Sequence, residues 1–131
     1  MIVDDYIEVK TTVRIPNQKI QDLIVSAVEG GSNYWAKFKF PTGYKDKYES
    51  YEQIPFNGGK FEVFDIETDE LLGELNQSST KVGLQLMADC KDSKEKAVPA
   101  RHFKNLATDC EDAETADVFM QLSVMGEIRF G

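Results

Sequence analysis

Cysteine and histidine are scarce in this chain: of 131 residues, two are cysteines, Cys90 and Cys110, and one is a histidine, His102. Two cysteines give no disulfide framework, and in a reducing compartment such thiols stay free. Without a CxxC pair and with a single histidine, a zinc site would lack its usual ligands. No apolar run approaches the roughly 18 residues that a membrane span needs. Met1–Asp5 lacks the basic and apolar regions of a secretion signal, so a cytoplasmic protein is expected. Neither GxxxxGK[ST] nor GxGxxG occurs, which leaves a phosphate loop and a dinucleotide fingerprint without support. No DxDxDG spacing marks a calcium loop. No cofactor is expected.

What is present belongs to a folded protein, 41% hydrophobic and 11% aromatic. That is too apolar for a disordered chain and fits one domain spanning residues 1–131. Net charge is −8 and unevenly placed: residues 1–60 balance 8 basic with 8 acidic residues, whereas residues 61–131 hold 7 basic and 15 acidic. Direct binding to nucleic acid is disfavoured, because phosphate affinity comes from basic patches. A basic partner protein is compatible with this charge, and so is simple solubility.

The strongest local pattern runs from Pro16 to Phe40. Ile20, Leu23, Ile24, Ala27 and Val28 recur on one helical face, which predicts a helix packed against a sheet. Pro16 and Asn17 suit its entry, and Gly30-Gly31 suits a left-handed stop. Tyr34, Ala36, Phe38 and Phe40 then alternate with Trp35, Lys37 and Lys39, as in a half-buried strand. Upstream, Ile7, Val9, Thr11 and Val13 alternate with Glu8, Lys10, Thr12 and Arg14, predicting a first strand. Residues 41–56 read as loop or edge strand, with Pro55 against a central position. Asn57-Gly58-Gly59 signals a turn, and residues 61–66 and 71–75 a hairpin. Helices are expected after Ser78-Ser79-Thr80, after Pro99 and after Asp112, the last ending at Gly126 before a short strand at Ile128 and Phe130. The class is α+β: an antiparallel sheet with one packed N-terminal helix, followed by a C-terminal helical segment.

Three groups of residues are candidate sites. Gly30, Gly31, Asn33 and Trp35 place permissive backbone beside an indole, where a planar ligand could stack; the competing reading is a helix cap and a core tryptophan. Arg101 and His102 could hold an anion and complete a pocket for a nucleotide-like ligand, within one chain or across a homodimer. A catalytic Cys–His pair is the weaker use of His102, and no catalytic residue is assigned. Asp109, Glu111, Asp112, Glu114 and Asp117 crowd a helix start, where carboxylates favour the helix dipole or form a patch for a basic partner.

Ala27-Val28-Glu29-Gly30-Gly31-Ser32-Asn33-Tyr34-Trp35, the Arg101-His102-Phe103 step and the tail from Asp112 to Leu122 together resemble a group of small proteins of phages and mobile elements. The resemblance covers the two ends and carries no catalytic assignment. It implies an accessory protein that meets host machinery, plausible as a counter-defence inhibitor. Acting by stoichiometric binding rather than as an enzyme, such a protein would cover a basic host surface or sequester a nucleotide-like ligand.

Overall fold

The computed structural model describes residues 5–131. Helix α1 (Asn17–Ser26) opens without a side-chain cap, the Pro16 carbonyl accepting from the Lys19 and Ile20 amides. Asn17 is therefore the first helical residue and not the cap. Ile20, Leu23, Ile24 and Ala27 are buried as their spacing predicts. The helical segment ends at Gly31 as its glycines predict, but without the left-handed cap. It widens into a π turn, Ala27–Gly31, closed by the Ser32 amide donating to the Ala27 carbonyl at 2.9 Å.

Strand β1 is Ala36–Lys39, β2 is Phe61–Asp65 and β3 is Leu71–Leu75. They form one antiparallel sheet in the order β1-β2-β3, with Phe38 opposite Val63 and Phe61 opposite Leu75. Phe61, Val63 and Leu75 turn inward, while Lys37 and Lys39 face solvent. Between β1 and β2 the chain is neither strand nor open loop. It makes a short 3-10 turn at Tyr44–Asp46 and a longer one at Tyr51–Asn57 that includes Pro55. Phe40 stacks on Tyr51 there, with ring centroids 4.8 Å apart. Gly58, at φ 78°, supplies the left-handed turn into β2 that Asn-Gly predicts.

Helix α2 (Gln77–Asp89) is capped by Asn76 and not by the serines: Asn76 accepts from the Ser79 amide, and Ser79 accepts in return from the Asn76 amide. This reciprocal box satisfies two orphan donors at once. Helix α3 (Arg101–Ala107) is short, and α4 (Ala113–Met125) is the centre of the molecule. Nine consecutive residues of α4, Thr115 to Ser123, are buried. It packs against α1, α2, α3, the π turn and β3. The main neighbours of α1 are accordingly α4 and the Tyr51–Asn57 turn, with α4 intervening where a sheet contact was expected.

Two predicted strands are absent. Residues 7–14 form no hydrogen-bonded strand among the described residues, and Ile7 is 92% exposed. The alternation is that of a strand, but no other segment of the described chain lies beside it to complete a ladder. Ile128 and Phe130 form no strand either: the Arg129 amide and both Phe130 backbone groups are held by the Gln121 side chain of α4.

Candidate functional site

Asp117 lies on the second turn of α4, 7% exposed. One carboxylate oxygen accepts from the Ser32 hydroxyl at 2.8 Å and the Trp35 indole N–H at 2.7 Å. The other accepts from the Tyr34 hydroxyl at 2.5 Å and from Gln121 Nε2 at 3.1 Å. No cation pairs with it among the described residues. Four neutral donors replace the water that burial removes, which is what a buried carboxylate needs in order to persist. Burial first, and then the bond to Asp117, push the Tyr34 phenol up to about 12.

Gln121, one turn further along, extends this network to the chain end. Its carbonyl oxygen accepts from the Arg129 and Phe130 amides, and its Nε2 donates to the Phe130 carbonyl. The pinned tail lays Phe130 flat on Trp35, centroids 5.1 Å apart and planes 8° from parallel. Trp35 is 2% exposed. Its ring is already stacked and its N–H already bonded, so it presents no face to a ligand. The π turn explains this placement: its extra residue rotates Ser32, Tyr34 and Trp35 toward α4.

The glycines serve close approach instead of a left-handed turn. Neither Gly30 nor Gly31 has a positive φ. A Cβ on Gly31 would lie 2.5 Å from the Ala113 carbonyl oxygen, so this position lets the π turn meet the start of α4. Gly30 faces open space, and the Asn33 side chain is exposed.

Arg101 donates to Glu114 at 2.6 Å. His102 is 2% exposed, with Nδ1 3.1 Å from the Thr115 hydroxyl, which also accepts from Asn105. Burial, and then the Arg101 charge, hold the imidazole below its ordinary value of 6.5. In the unfolded chain histidine binds its proton at higher pH than in the folded one, so stability is full above the ordinary value and falls as pH drops below it. Urea midpoints are expected to fall in the wild type as pH is lowered from about 7 to about 5. A His102→Asn variant, less stable throughout, should lose that slope.

The acidic cluster also has partners within the chain, although Asp109, Asp112 and Glu114 stay exposed. Asp112 caps α4 by accepting from the Thr115 amide at 2.8 Å, and that bond holds its carboxyl below the usual range. Asp109 pairs with Lys19, whose ammonium also lies 3.8 Å from Glu111. Asp117 is buried and unavailable to any partner. The candidates therefore converge on the start of α4: Arg101 pairs with Glu114 and Trp35 with Asp117, while Gly31 packs on Ala113 and His102 meets Thr115. Ser32, Tyr34, Thr115 and Gln121 were missed. Their signal was the polar pair Asp117 and Gln121, one turn apart inside an otherwise apolar helix.

Among the described residues, exposed carboxylates without an internal partner stand on the β2–β3 hairpin. Between residues 61 and 75 there are six acidic residues and no lysine or arginine. Glu67, Asp69 and Glu70 stand at the exposed tip of the β2–β3 hairpin, beside Ile66 and Leu71, which are 47% and 51% exposed. Asp65 shapes the tip by accepting from the Glu67 and Thr68 amides. Lys37 pairs with Asp69, and Lys60 with Glu74. Glu67 and Glu70 make no ion pair among the described residues. No described helix is long and apolar enough to cross a membrane. Comparison of the chain with protein-family models, with curated proteins and with solved structures gives no match.

Proposed function

We propose that the protein works by stoichiometric binding, using its acidic C-terminal half to cover a basic surface of a partner protein. In the phage or mobile-element setting that its sequence resembles, the partner is a host protein and the role is counter-defence inhibition. The observation that supports this reading is the β2–β3 hairpin, whose tip projects Glu67 and Glu70, neither in an ion pair among the described residues, beside the exposed Ile66 and Leu71. Such a rim steers a basic partner at long range, while Ile66 and Leu71 supply contact area that charge alone does not. The docking residues are then Glu67 and Glu70 with Ile66 and Leu71, in place of the helix-start cluster whose members are paired internally.

The test is affinity capture from host extract at low and at physiological salt, with a Glu67→Lys/Glu70→Lys variant alongside the wild type. The partner should be retained at low salt, weaken as salt rises, and be lost from the variant while its circular dichroism stays unchanged. A complex indifferent to both salt and reversal would reduce the hairpin's acidity to solubility.

A further inference from the structure

The segment from Ile7 to Ile15 has the composition of a strand and the surroundings of none. Ile7, Val9 and Val13 are 92%, 76% and 53% exposed, and Ile15 reaches only partial burial against the core. No backbone hydrogen bond among the described residues involves positions 5–15. Beneath the segment, between it and α1, α2 and α3, runs a groove of about 1330 Å³ whose lining includes Val9, Val13, Ile20, Phe56, Leu84 and Phe103. An extended chain with a free hydrogen-bonding edge and an apolar face is a template for another strand.

We propose that this arm pairs antiparallel with the same arm of a second copy, with Thr11 on the two-fold axis. The arm's charges and apolar side chains together select that register. With Thr11 opposite Thr11, Glu8 faces Arg14 and Arg14 faces Glu8, Val9 faces Val13 twice, and Ile7 faces Ile15 twice. Lys10 meets Thr12, so no like charges oppose. Sliding the pairing by one step of the pleat puts Lys10 opposite Lys10 in one direction and Lys10 opposite Arg14 in the other. Opposite charges across a ladder stabilise and like charges destabilise. A slide of two steps, centred on Val9, still sets Glu8 against Lys10 but puts Ile7 opposite Thr11, so only the Thr11 register joins opposed charges to the Ile7–Ile15 and Val9–Val13 pairs. A shift of odd parity mixes the apolar and polar faces. A two-stranded ribbon alone is marginal in water, and the groove beneath the arm, of mixed polar and apolar lining, offers Ile20, Phe56, Leu84 and Phe103 for this one to settle on.

The experiment is sedimentation of the full chain over a wide concentration range, with Glu8→Arg, Arg14→Glu and the double swap. The wild type should dimerise, each single reversal should weaken the dimer about tenfold, and the swap should restore it to near wild type. In a Cys90→Ser/Cys110→Ser background, Thr11→Cys should form a disulfide-linked dimer on mild oxidation, because antiparallel partners lie within disulfide reach. Lys10→Cys should not. A chain monomeric at every concentration overturns the proposal. So does a dimer that ignores the reversals or is not rescued by the swap, and so does cross-linking as efficient from Lys10→Cys as from Thr11→Cys.

Discussion

Asp117→Ala is expected to destabilise the protein by about 3–5 kcal/mol, a loss on the order of 10 °C in Tm or more. Removing a buried charge taken alone would help, because its desolvation is costly. Here the carboxylate is the acceptor for two buried donors, the Ser32 hydroxyl and the Trp35 indole N–H. Each is left unpaired in the variant at about 1–3 kcal/mol. Tyr34, half exposed, can turn to water, and Gln121 keeps its bond to the Phe130 carbonyl. Asp117→Asn should cost less, since its remaining oxygen can still serve Ser32 and Trp35 while its amide opposes Gln121. Trp35 is the only tryptophan, so its fluorescence reports the site directly: a red shift should accompany the Ala variant, and denaturant melts give the energy. A loss below about 1 kcal/mol would mean that the network does not anchor the turn to α4. The same network predicts an alkaline limb. The Tyr34 proton is held to about 12 in the folded state against 10.0 ordinarily. Its contribution is therefore whole below the ordinary value and is lost as pH rises between the two.

Gly83→Ala should destabilise by about 2–3 kcal/mol, although the same change in an exposed helix stabilises by up to about 1 kcal/mol. The reason is the α2–α4 contact. A Cβ at Gly83 would lie 2.0 Å from the Ser123 hydroxyl and 2.8 Å from the Ser123 Cα and amide nitrogen. A rotamer change could move the hydroxyl but not the backbone, so the helices must separate, loosening the core around Met87 and Phe119. Gly30→Ala is the control. Gly30 also lies within a helical segment, has no positive φ and faces nothing within 4 Å. It should be neutral or slightly stabilising. Equal behaviour of the two variants in thermal melts would remove close packing as the role of Gly83.

Where the cause of a structure is local, the sequence was enough. The β2–β3 hairpin follows from alternation bounded by turn residues, the start of α4 from an aspartate able to bond its own third amide, and its end from Gly126 at φ 75°. The buried face of α1 follows from spacing. The α+β class follows from these elements together. What the sequence could not carry is the identity of distant partners. Gly31 reads as backbone freedom and Gly83 as nothing in particular, but the use of both is proximity to residues 82 and 40 positions away, and no local pattern announces which helix will approach. Trp35 and Asp117 read as separate sites, one for a ligand and one for a partner, because nothing along the chain reveals that each satisfies the other. The alternation at Ile7–Val13 states that this segment can be a strand. Whether it becomes one depends on a neighbour with free hydrogen-bonding groups, and within the described chain there is none. Periodicity is a property of a segment, whereas burial, pairing and satisfaction are properties of two surfaces brought together, and only the tertiary structure decided those.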